Sequence, residues 1–163
     1  MEWDKLYGMQ QNLDKYIEDN HNLIKQETFH KRLLALLVEL GELANETRCF
    51  KFWSTKPPSE KEVILEEYVD VLHFMLSLGI DSELRYNPKN NVSSMSNKNT
   101  TTLFLDLFQL CTNFGTNPNT ENYNKMFEAY LDLGETLQFR KEDIEDMYFR
   151  KNSTNYRRQD QGY

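Results

Sequence analysis

Between Lys61 and Leu84 the chain reads KEVILEEYVDVLHFMLSLGIDSEL, and this run narrows the possible folds more than any other. Its apolar residues recur at helical spacing, with Val63, Ile64, Val71, Phe74 and Leu78 on one side. Glu67 and Asp70 stand in the middle of that face, and neither has a Lys or Arg three or four residues further on. A carboxylate held among apolar side chains must neutralise, pair or bind a cation, because isolated burial of its charge is too unfavourable. This helix therefore needs partners from elsewhere in the chain.

A second set of carboxylates lies just upstream. In TFHKRLLALLVELGELANETRCF, Glu39, Glu42 and Glu46 form one stripe beside the apolar arc of Leu33, Leu36, Leu40 and Leu43. Like charges at i, i+4 disfavour a helix by roughly 0.2–0.5 kcal/mol when exposed. The bland reading is a solvated charged face. Two carboxylate pairs on consecutive helices argue against it, since consecutive helices usually pack together. Four converging carboxylates, Glu39, Glu42, Glu67 and Asp70, call for divalent cations. An oxygen-only set suits Mg²⁺ or Mn²⁺, which points to phosphoryl chemistry. The Asp70–His73 spacing also fits a di-iron bundle, but that site needs a second such motif, and neither His21 nor His30 supplies one.

The rest of the pattern is helical too. Helical spacing runs through WDKLYGMQQNLDKYIEDN, TTLFLDLFQLCTNF and ENYNKMFEAYLDLGETLQF, and four prolines and six glycines are too few for a turn-rich β fold. Thr28 is expected to cap the second helix, Ser59 with Glu62 to form a capping box on the third, and Thr120 to cap the fifth. RYNPKNNVSSMSNKN reads as a loop. The expectation is one all-α domain of about six helices over residues 1–163. A net charge of −7 disfavours nucleic acid and anionic membrane as partners. Cys49 and Cys111 lack metal or redox spacing, no apolar leader opens the chain, and no run of about 18 apolar residues occurs. A cytoplasmic protein is expected.

The last segment begins helical and is expected to end as a polar tail in which Arg150, Lys151, Arg157 and Arg158 alternate with aromatics. Such a segment can close over phosphates, because each cation and amide supplies donors to phosphate oxygen. Together, ELGELANE, EEYVDVLHF and KNSTNYRRQDQGY resemble the dimeric all-α dUTPases of the MazG-like nucleotide pyrophosphohydrolase superfamily. MQQNLD matches that family's Gln-xx-Leu-Asn/Asp element, with Asp14 in place of the commoner Asn. The resemblance implies a homodimeric enzyme that hydrolyses dUTP and dUDP to dUMP. Glu39, Glu42, Glu67 and Asp70 would be its metal ligands, and Glu39 also the base for a metal-activated water directed at the β-phosphorus. Gln10 and Asp14 would face uracil, and Phe74 the deoxyribose. Lys151, Asn155, Arg158 and Tyr163 would bind from a closing tail, residues 151–163, and Lys51, Trp53 and Lys56 match a Lys/Trp-rich loop. A dCTP or house-cleaning NTP pyrophosphatase keeps the same fold; a helical interaction module would leave the carboxylates unexplained.

Overall fold

A computed structural model describes residues 1–21, 23, 28–88 and 98–162. These residues form six α-helices and no strand: α1 Trp3–His21, α2 Phe29–Thr47, α3 Lys61–Asp81, α4 Thr100–Thr116, α5 Thr120–Thr136 and α6 Lys141–Asp160. The all-α expectation holds. α3 is the axis of the bundle and packs against α1, α2, α5 and α6. Its buried residues, from Ile64 through Tyr68, Leu72, Met75 and Leu76 to Gly79, point in all directions, as in a helix enclosed by others.

Tyrosines clasp α3 to α5. Tyr68 and Tyr130 stack at 4.1 Å, and each hydroxyl donates to the other's backbone carbonyl at 3.0 Å. The Tyr68 hydroxyl reaches its carbonyl over Gly134, where an added Cβ would lie 2.3 Å from the oxygen. Gly79 opens the same path for Tyr123, whose hydroxyl donates to the Met75 carbonyl.

Three local expectations change. Thr28 precedes α2 but has helical backbone angles and makes no side-chain cap. Ser59 does not cap α3: Glu60 holds the cap position, and the Ser59 hydroxyl and amide both go to Glu46, closing the loop between α2 and α3. Asn119, not Thr120, caps α5, accepting from the Asn122 amide. The largest difference is at the end of the chain. The expected polar tail is helical through Asp160, because Lys151 and Asn152 are buried and Tyr156 packs its ring 5.2 Å from Tyr16. Part of the loop expected after Arg85 lies outside the described residues.

Candidate active site

α2 and α3 bring Glu39, Glu67 and Asp70 together, with one carboxylate oxygen from each within 4.8 Å of the others. All three are half-buried. Glu39 is pushed up to about 7, first by burial and then by the charges of Asp70, Glu42 and Glu67. Burial, then Asp70 and Glu42, raises Glu67; burial also raises Asp70 against the pull of Lys151. Glu42 is exposed and stands outside the group of three. Of the four carboxylates expected to converge, three stand close enough together to hold a metal ion, and Glu42 lies beside them. Its donors are hard oxygens with no Cys or His among them, which fits Mg²⁺ or Mn²⁺.

Asp70 is not unpaired, as its helix alone suggests. Lys151 of α6 reaches it at 2.7 Å and Glu66 at 2.8 Å. This ammonium is nearly enclosed, and its carboxylate partners hold its pKa above the ordinary lysine value against the opposing effect of burial. The lysine expected on phosphate is a counter-ion of the carboxylate cluster in this structure.

Beside the cluster opens a pocket of about 480 Å³ between α1, α2, α3 and α6. Glu39 and Asp70 line it together with Gln10, Asp14, His73, Phe74, Ser77, Arg32, Asn155 and Arg158. Its inner wall carries a connected polar network. Gln10 Nε2 donates to Asp14 Oδ1 at 2.9 Å and to Ser77 Oγ at 3.0 Å, and Ser77 Oγ donates to the same Asp14 oxygen at 2.8 Å. Gln10 Oε1 accepts from the Tyr148 hydroxyl at 2.7 Å and lies 2.7 Å from His73 Nδ1. Burial raises Asp14 although Arg32 and its two donors pull it down, and burial lowers His73 to about 3. Arg32 in turn is held by Asp81 at 2.5 Å and Glu18 at 2.8 Å.

Of the residues singled out in the sequence, Gln10, Asp14, Glu39, Asp70, Phe74, Asn155 and Arg158 line this one pocket. Lys51, Trp53 and Lys56 do not; they sit on the loop between α2 and α3, where Trp53 is 64% exposed. Tyr163 lies outside the described residues. Sequence reasoning missed Arg32, Ser77 and Tyr148. Two of them carried a signal: Arg32 is seven residues before Glu39 and Ser77 seven after Asp70, two turns along the same helix face.

The class that fold and site define is an all-helical bundle in which an acidic group able to hold a metal ion borders a pocket of small-molecule size. A model of the family described as dUTPase matches residues 2–163, and the chain belongs to that family. It is a dUTP diphosphatase of the all-α kind, which sets aside the non-enzymatic reading. A search of curated proteins found no match.

Proposed function

We propose that the enzyme requires Mg²⁺, with Mn²⁺ as substitute, and converts both dUTP and dUDP to dUMP. The reading is carried by one juxtaposition: Glu39 and Asp70 belong both to the carboxylate triad and to the pocket wall. Glu39, Glu67 and Asp70 would hold the ion, with Glu42 beside them. A bound ion supplies Lewis-acid chemistry, neutralising phosphate charge and acidifying water. Glu39 takes the proton of the water that attacks the β-phosphorus, and the bond from that phosphorus to the bridging oxygen of dUMP breaks. Pyrophosphate is released from dUTP. A bound divalent ion would offset the neighbouring charges that raise Glu39 in the metal-free protein and leave its carboxylate ionised, as a base must be.

Phe74, one turn after Asp70, packs on the deoxyribose and crowds a 2′-hydroxyl. Gln10 and Asp14 belong to the base end. Asn155, Arg158 and Tyr163 serve the phosphates, and Lys151 turns to them from Asp70 and Glu66 once an ion neutralises those carboxylates, so residues 151–163 close the site with the last turns of α6. Lys51, Trp53 and Lys56 add substrate contacts from their loop. We also infer a homodimer, supported by apolar side chains left in solvent: Phe52 is 94% exposed, and Leu34, Val38 and Leu105 are exposed on α2 and α4. A cytoplasmic location without nucleic-acid partners is consistent with the charge of −7, and no described helix is long and apolar enough to cross a membrane.

The test is product release across the common dNTPs, dUDP and UTP, with Mg²⁺ and with excess chelator. Efficient turnover of dUTP and dUDP that stops in chelator is expected. Full turnover in chelator, or equal efficiency on dCTP, dTTP and UTP, refutes the reading.

A further inference from the structure

α6 changes character at Asn152. Its buried residues are Ile144, Met147, Tyr148, Lys151 and Asn152, and none after Asn152 is buried. A helix end with so little enclosed surface opens easily. Yet Asn155, Arg158 and Gln159 of this stretch line the pocket, so it must be held in place from outside. Three contacts fasten it to α1. The rings of Tyr16 and Tyr156 lie 5.2 Å apart. Asp160, four residues after Tyr156 and on the same face, accepts the Tyr16 hydroxyl at 2.5 Å. Gln159 Oε1 lies 2.8 Å from His21 Nε2; an amide oxygen can only accept, so the imidazole donates.

The position of Asp160 itself calls for a partner. It is the last residue of α6, where the unpaired carbonyls disfavour negative charge, whereas Arg157 and Arg158 in the same turn suit that end. Tyr16 supplies a donor to a carboxylate that its own helix disfavours. On α1, His21 stands seven residues after Asp14, two turns along the face that lines the pocket, so the clasp and part of the pocket wall belong to one helix. We propose that Tyr16 and His21 are positioning residues, which clasp the last turns of α6 to α1 and so keep Arg158 and Gln159 in the pocket wall before substrate arrives. The consequence for catalysis rests on the reading of this pocket as the dUTP site. An arginine already in place spares the substrate the ordering of a helix end, and apparent affinity scales with the fraction of molecules in which the clasp is closed.

The experiment is amide hydrogen exchange of the full chain without ligand, paired with steady-state dUTP kinetics. Tyr16→Phe keeps the ring and removes the donor; His21→Ala removes the other donor. Each is expected to speed exchange in residues 153–160 about fivefold, as loss of one exposed hydrogen bond would, and to leave α3 protected as in wild type. His21→Gln restores an N–H donor and should restore the protection. In the double variant Tyr16→Phe/His21→Ala, where opening is no longer rare, KM for dUTP should rise about fivefold at unchanged kcat. Unchanged exchange in both single variants overturns the clasp, and so does exchange that quickens throughout the bundle, since that marks a general loss of packing. Faster exchange with an unchanged KM in the double variant overturns its role in binding. A wild-type protein that does not turn over dUTP refutes the functional reading, while the exchange data still decide the clasp.

Discussion

Replacing Lys151 by Met keeps the length of the side chain and removes its charge from the carboxylate cluster. The ammonium bonds Asp70 and Glu66, and its own side chain is 9% exposed. Breaking a buried pair by removing one partner costs about 3–5 kcal/mol, because the other charge is left uncompensated. That range must be reduced here. Glu66 is 47% exposed, so its arm contributes about 0–1 kcal/mol, and Asp70 at 19% keeps some contact with water. Methionine also recovers some apolar packing. A net loss of about 2 kcal/mol is expected without divalent ion, or a fall in Tm of about 4–8 °C for a chain of this size. Saturating Mg²⁺ should narrow the gap, since the ion takes over neutralisation of Asp70. The assay is thermal and urea unfolding of both proteins in chelator and in Mg²⁺. If Lys151→Met is as stable as wild type in chelator, or the gap stays the same in saturating Mg²⁺, then Lys151 is not the counter-ion of a metal-binding carboxylate cluster.

Glu67→Gln should abolish dUTP turnover and leave the circular dichroism spectrum unchanged; retained turnover would remove Glu67 from the site. The metal-free protein should lose stability as pH rises from about 4.5 towards 7. Glu39 is raised in the folded state, so between those values the native chain binds more protons than the unfolded one, and the stability present below the unfolded pKa drains away. Glu39→Gln should flatten that slope in urea titrations made in chelator. Phe74→Ala should narrow the preference for dUTP over UTP, read as a ratio of kcat/KM values. Arg158→Ala should raise KM for dUTP about tenfold, as expected for loss of one charge-assisted contact to phosphate.

Helix number and type were legible because they depend on neighbours in the chain. The spacing of Leu36, Leu40 and Leu43 gives α2 its buried face whatever else it touches. The carboxylates of α2 and α3 were legible for a related reason: Glu67 and Asp70 break an apolar pattern, and a break of that kind needs an explanation within the same few turns. Helix ends were harder. Ser59 has the composition of a cap, but its hydroxyl is taken by Glu46, thirteen residues away, and cap preference is too weak to compete with a charged acceptor brought close by the loop.

The sequence by itself determined that residues of opposite demand, apolar and acidic, share the helices of an all-α chain, and it marked Glu39, Glu42, Glu67 and Asp70 as one chemical group. Only the tertiary structure decided that Asp70 is held by Lys151 and that Glu42 stands to one side. The last turns of α6 form a wall rather than a free end, and His73 is tied through Gln10 to Asp14. The difference has a physical cause. Backbone periodicity is set by residues three and four apart, whereas a charge or a lone pair is satisfied by whichever group arrives within about 3 Å. Lys151 and Asp70 are 81 positions apart, so only the packing of α6 on α3 could bring them together.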